Sequence, residues 1–303
     1  MTSLSPPTPS PTWSDWLAGA RPRTLPAAVV PVAVGAGVAA GVGDSFAAGV
    51  VWWRVVGALV VSLLLQVGVN YANDYSDGVR GTDDTRVGPM RLVATGTADA
   101  SAVKRAALGT LLAAAAVGVA LAAATSWWLL AVGAVAILAA WGYTGGPKPY
   151  GYLGLGELFV FVFFGLVATA GTTYLAIGSI PWVTWIAATG VGFMACALLV
   201  INNLRDIPTD REVGKRTLAV RLGEDRTRTL YAALVVGAFL AAALAAGERN
   251  WSLIAIAALP IARPAMQHVL AGTKGPALIP ILGATGKAQL AYGLLFAVGL
   301  ALG

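Results

Sequence analysis

Two stretches of this chain gather amide and carboxylate oxygens at matched intervals. Asn73-x-x-x-Asp77 lies in NYANDYSDGVRGTD, and Asn202-x-x-x-Asp206-x-x-x-Asp210 lies in NNLRDIPTD. Residues four apart share one face of a helix, so each stretch can aim an amide oxygen and one or two carboxylates at one point. Each is followed by a basic stretch, DDTRVGPMRLV after the first and REVGKRTLAV after the second. Mg2+ takes oxygen ligands and typically bridges one or two carboxylates to substrate phosphates. Two such clusters with Lys and Arg close by suit a diphosphate carried with Mg2+: Asp and Asn hold the metal, and the cations neutralise the remaining phosphate oxygens. The plainer alternative is a set of salt bridges on a solvated face. Two matched clusters, each with Asn at minus four and each at the end of an apolar run, argue against it. The repetition suggests an internal duplication.

The apolar runs that must position these clusters define the class. Of the 303 residues, 57% are hydrophobic and 11% charged, with a mean hydropathy of +0.75, whereas a soluble domain carries roughly a quarter charged residues. Runs of about 20 apolar residues match the thickness of a bilayer core. The expectation is an all-α polytopic membrane protein with nine transmembrane helices, near residues 24–43, 50–73, 103–124, 126–142, 154–178, 182–203, 228–246, 250–262 and 283–302. The eighth is short and runs into Pro260 and Pro264, which predicts a half-helix or a broken one. Lys and Arg collect on the cytoplasmic side of membrane proteins. With the N-terminus there, every Lys and Arg except Arg54 and Arg249 falls on that side, both acidic clusters with them, and the C-terminus falls outside. Residues 1–16, rich in Pro, Ser and Thr, read as a disordered tail ahead of a single domain over 17–303. Cys196 stands alone in an apolar run, which excludes a disulfide framework or thiolate metal site. His268 reads as a loop residue without chemistry.

The pair of acidic motifs resembles the UbiA superfamily of intramembrane aromatic prenyltransferases, and within it the MenA family, which prenylates 1,4-dihydroxy-2-naphthoate. Four segments carry the likeness: RPRTLPAAVVPV at the first span, NYANDYSDGVRGTDDTRVGP after the second, YTGGPKPYGYLGLGELFVFVFFG at the fifth, and NNLRDIPTDREVGKRTLAVRLG after the sixth. The nine-span count agrees with the family, whose fold places nine helices around a central cavity. The broader superfamily pattern predicts an acid at position 81. This chain has Gly81 there and Asp83 two residues later, as in the naphthoate branch, so either Asp83 or Asp84 fills the third acidic place.

Carried over by resemblance, the metal ligands are Asn73, Asp77 and Asp83 from the first motif and Asn202, Asp206 and Asp210 from the second, with Asp74 able to share the metal. Diphosphate contacts are Arg86, Arg91, Lys148, Lys215 and Arg216. The implied reaction transfers a polyprenyl chain from its diphosphate to 1,4-dihydroxy-2-naphthoate, with loss of CO2 and diphosphate, giving a demethylated menaquinone. Mg2+ is the implied cofactor, the bilayer the setting, and no nucleic-acid partner is expected. Asp77 and Asp206 lead the catalytic candidates. Tyr143, beside the TGGPK turn, and Trp141, Phe159, Phe163 and Phe164 offer π faces to an allylic cation, although ordinary helix packing or an interface belt is the better explanation of any one of the last four. Glu157 sits just inside the fifth span, where an unpaired charge costs several kcal/mol. It is expected either as a base or hydrogen-bond acceptor for the naphthol or in a structural pair. Arg21 and Arg23 either bind the acceptor carboxylate or anchor the first span, and Asn70, one turn before Asp74, joins the acceptor candidates. The competing readings are a prenyltransferase for 4-hydroxybenzoate, homogentisate or a tetrapyrrole, and a transporter. A transporter would place its acids near the bilayer midplane on broken helices.

Overall fold

A computed structural model describes residues 10–43, 45–82 and 90–303. Among these the chain is helical, without strands. The elements are α1 (Trp13–Gly19), α2 (Pro26–Ala40), α3 (Trp52–Val79), α4 (Ala100–Ala124) and α5 (Leu129–Gly142). An unbroken span follows, made of α6 (Gly156–Val160), a π-helical stretch (Phe161–Val167) and α7 (Ala168–Ile177). After it come α8 (Trp182–Glu212), α9 (Leu218–Leu222), α10 (Glu224–Ala245), a 3-10 segment (Asn250–Ala258) running into α11 (Leu259–Leu270), and α12 (Leu278–Leu302).

Each expected span is largely helical, and the count of nine is not confirmed. Among the described residues seven helices are long and apolar enough to cross a membrane, or eight if the pair Trp13–Thr24 and Pro26–Ala40, bent by 52°, is one span. The fourth falls short because the turn at Ser126–Trp128 consumes its first residues and leaves α5 only 14 residues long. Pro260 and Pro264 do not end the eighth, which runs over Asn250–Leu270. Pro260 falls in the first turn of α11, where no N–H partner is needed. His268 accordingly lies in the last turn of α11 and not in a loop. The expected tail also gives way early. Thr12 and Asp15 form a reciprocal capping box that starts α1 at Trp13, and Trp16 packs edge-on against Tyr71 of α3.

Helix termini alternate between two ends of the bundle. One end carries Arg54, whose Nη2 donates to Ala124 O at the end of α4 (2.6 Å), and the exposed Trp52, Trp53, Trp127, Trp128, Trp182 and Trp251. The other end carries both acidic motifs. One buried cluster joins α2, α8, α10, α11 and α12, a second joins α2, α3 and α7, and a third wedges the segment around Leu92 between α3 and α4.

Backbone-to-backbone approach sets the helix spacing, as in membrane proteins generally, where small residues form the interfaces. A Cβ on Gly165 would stand 2.6 Å from the Cα of Gly192, and one on Gly35 2.5 Å from the carbonyl oxygen of Thr169. Backbone atoms cannot yield as side chains do. Gly165→Val is therefore expected to destabilise the bundle by about 1–3 kcal/mol. Thermal unfolding in detergent checks this against Gly109→Ala, where a Cβ meets nothing within 4 Å and the unfolding temperature should hold.

Candidate active site

The last three turns of α3 bring Asn70, Asn73 and Asp77 onto one cavity wall. Gly81 then stops the helix. It takes φ 69°, donates to Gly78 O (3.2 Å), and lets Thr82 N donate back to Asp77 O (3.1 Å). This left-handed stop is available to glycine at no steric cost, and it explains why no acid occupies position 81.

The second motif ends the same way, one turn later than the repeat suggested. Gly214, at φ 76°, donates to Arg211 O (3.3 Å), and Lys215 N donates to Asp210 O (2.8 Å). Aligned on these stops, Asn70, Asn73 and Asp77 correspond to Asn203, Asp206 and Asp210, with the same spacing, and all six line the cavity together with Asn202. The second helix thus carries one more acid before its stop. Asp83, Asp84 and Arg86 lie outside the described residues.

Asp74 does not join the metal candidates. It is fully buried off the wall, and its two carboxylate oxygens accept from Leu92 N (2.8 Å) and Val93 N (3.0 Å). A carboxylate on two backbone N–H groups is an anchor, and here it positions the adjacent Arg91, which is buried and lines the cavity.

Tyr152, between α5 and α6, ties the two motifs together. Its hydroxyl donates to Asp77 Oδ1 (2.6 Å), its carbonyl accepts from Arg216 N (3.0 Å), and its ring lies 4.7 Å from the Lys215 ammonium. Lys215 in turn sits 3.4 Å from Asp77 Oδ2. Burial, and then the charge of Asp77, push the Tyr152 phenol above its ordinary range. Burial first, and then Glu157, raise Tyr143 in the same direction. Thr144 donates to Asn73 Oδ1 (2.7 Å), which turns that amide oxygen by a defined contact. On the other motif Arg205 grips Asp206 with two bonds, Nε to Oδ1 at 2.6 Å and Nη2 to Oδ2 at 2.8 Å, and also reaches Asn202 Oδ1 at 2.9 Å.

The cavity, about 780 Å³, is polar at the acidic end and apolar beyond it. Arg21, Arg23, Lys215 and Tyr143 line the polar end, and Phe159, Phe163 and Phe164 the adjoining wall, where Tyr150 and Phe159 stack at 3.9 Å. Lys148 and Arg216 are exposed and do not line it. Trp141 packs against Tyr75 beside a second cleft. Glu157 stands behind the wall. Its Oε1 accepts from Asn203 Nδ2 (3.0 Å), while its Oε2 is buried without a hydrogen-bond partner.

Sequence reasoning passed over Asn203, Arg205, Thr144 and Tyr152. The 3-then-4 spacing of Asn203, Asp206 and Asp210 was legible on a helix. Tyr152 and Thr144 act through a loop, and no periodicity marks them. Among the described residues no three acids, His or Cys converge on a protein-only metal site. The wall instead offers carboxylate and amide oxygens, a hard donor set that suits Mg2+ shared with phosphates.

Residues 28–280 match the UbiA prenyltransferase family. The chain is 48% identical over 291 residues to the 1,4-dihydroxy-2-naphthoate octaprenyltransferase of Mycobacterium tuberculosis, covering 96% of this chain and 98% of that one. It is 36% identical to the enzyme of the same name from Escherichia coli, over 95% of each chain. Among solved structures, a UbiA homolog from Archaeoglobus fulgidus bound to GPP and Mg2+ superposes with a TM-score of 0.62 at 16% identity, over 93% of this chain and 99% of that one.

The anchoring contact yields its own expectation. Asp74→Asn turns one acceptor into a donor facing a backbone N–H, which should cost about 1–3 kcal/mol. Thermal unfolding in detergent should show a lower transition temperature, and an unchanged one would remove Asp74 as the anchor of this segment.

Proposed function

The chain belongs to the UbiA prenyltransferase family, and from that membership we infer a Mg2+-dependent aromatic prenyltransferase acting on 1,4-dihydroxy-2-naphthoate. The observation that carries the reading is a single cavity with two acid-bearing helix ends and buried cations at one end and hydrocarbon walls beyond. The enzyme moves a polyprenyl group from its diphosphate to the naphthalene ring. The donor's C–O bond and the C–C bond holding the carboxylate to the ring break, one C–C bond between ring and prenyl carbon forms, and diphosphate and CO2 leave with no net gain or loss of protons. No electrons are exchanged, so the product is the diol form of demethylmenaquinone.

Asn73, Asp77, Asn202, Asp206 and Asp210 are assigned to hold Mg2+, with Asp83 or Asp84 as a further acid. When bound, the metal supplies Lewis-acid stabilisation of the departing diphosphate. Lys215 and Arg91 compensate phosphate charge from the wall, and Arg86 is assigned the same task. The Tyr152 hydroxyl and the Arg205 guanidinium hold the Asp77 and Asp206 carboxylates in orientation, which limits reorganisation as charge moves onto the leaving group. Tyr143, Phe159, Phe163 and Phe164 keep water from the allylic cation and present π faces to it. Arg21 and Arg23, at the entrance of α2, take the acceptor carboxylate. Glu157 acts through Asn203, fixing its amide, and not as a base on the naphthol. The Lys and Arg asymmetry supports a polar end at the cytoplasmic face, with Arg54 and Arg249 outside.

Asp77→Ala and Asp206→Ala should each lower prenyl transfer by about a hundredfold or more, as loss of preorganised electrostatic groups does. Turnover of purified protein with a polyprenyl diphosphate and Mg2+ measures this, and intact rates in both variants would sink the ligand assignment. Offered separate acceptors, the enzyme should prenylate 1,4-dihydroxy-2-naphthoate with one CO2 released per transfer. Prenylation of 4-hydroxybenzoate without CO2 would refute the choice of acceptor.

A further inference from the structure

The cavity wall extends far past the acids. On α3 it follows one face from Asp77 through Asn73, Asn70, Gln66 and Ser62 to Ala58. At 1.5 Å per residue, Ala58 lies roughly 28 Å of helix rise from Asp77, close to the ~30 Å thickness of a bilayer core. Beyond Gln66 the side-chain hydroxyls on this wall bond to backbone carbonyls, Ser62 to Ala28 O and Thr172 to Ala168 O, which leaves a hydrocarbon surface.

Three glycines on three different helices open onto this apolar part: Gly118 of α4, Gly133 of α5 and Gly171 of α7. A glycine inside a helix costs about 1 kcal/mol relative to alanine. At Gly35 and Gly165 close backbone contact accounts for it. At Gly118, Gly133 and Gly171 a Cβ would meet nothing within 4 Å. Packing does not require glycine there; the missing side chains leave that part of the cavity open. Gly133 lies roughly 15 Å of helix rise from Tyr143, and Gly171 roughly 18 Å from Phe159. Both stand well beyond the reach of a single isoprene unit held at the acids.

We propose that Gly118, Gly133 and Gly171 set the length of isoprenoid tail that the enzyme accepts, by keeping the far part of the cavity clear for the tail. The proposal rests on the prenyltransferase reading above. A large side chain at any of the three blocks the path of a long tail and leaves a short one untouched.

The test compares dimethylallyl and octaprenyl diphosphates as donors to 1,4-dihydroxy-2-naphthoate, with wild type, Gly133→Phe and Gly171→Phe. Gly109→Phe is the control, on α4 away from the cavity, where a Cβ also meets nothing within 4 Å. Both cavity variants should keep kcat/KM for the dimethylallyl donor and lose about ten- to hundredfold for the octaprenyl donor, the range that overpacking corresponds to. The control should change neither. Should a phenylalanine variant fail to accumulate, Gly133→Leu and Gly171→Leu are judged by the same ratio of donors. Unchanged octaprenyl transfer, or equal loss for both donors, overturns the proposal. Wild-type protein that transfers neither donor would instead defeat the prenyltransferase reading itself, and this proposal with it.

Discussion

The contact among Asp77, Tyr152 and Lys215 is the constraint on which the rest of the site depends. Two helix ends carrying like charges must approach one another where the dielectric is low, and unaided carboxylates would repel. Lys215 and the Tyr152 hydroxyl take the two oxygens of Asp77, while Arg205 takes both of Asp206. Removing one partner of such a buried pair typically costs about 3–5 kcal/mol, because the other charge is stranded. Lys215 follows the second motif yet binds the first. One ion pair therefore fixes the distance between the two halves of the site and leaves an oxygen-lined space between them.

The same economy shapes the helix ends. Both motifs terminate in a left-handed glycine, Gly81 or Gly214, whose following residue donates back to the carbonyl of an acid. Each acid thus belongs to the last regular turn, where its backbone is rigid and its side chain is aimed by helix geometry. Asp74 and Glu157 serve a different purpose. One orders the segment that bears Arg91, the other orients Asn203, and neither lies on the wall.

The hydrocarbon part of the cavity follows from membrane packing. Where helices touch, glycines bring backbones together; where they do not, the same residue leaves a void. The π-helical stretch Phe161–Val167 sits between these regimes, in the span that presents Phe159, Phe163 and Phe164 to the cavity. Irregular turns of this kind are common at functional sites, since the extra residue per turn re-aims neighbouring side chains.

Sequence alone determined the solvent and the class of this protein, and it picked out the acids proposed to hold the metal. Hydropathy runs declare a lipid environment, and fourfold spacing places Asp77, Asp206 and Asp210 on helix faces, because both signals are local and periodic. Their limits were equally physical. The count of nine long spans depended on where turns at Ser126–Trp128 and Pro22–Thr24 begin, and turns compete for residues that hydropathy credits to helices. Tertiary structure decided which groups face the cavity, leaving Asp74, Glu157, Lys148 and Arg216 off its wall, bringing Tyr152 and Asn203 onto it, and setting Thr144 and Arg205 as hydrogen-bond partners of Asn73 and Asp206. Those choices rest on contacts between residues distant in the chain, and no spacing within a segment encodes them.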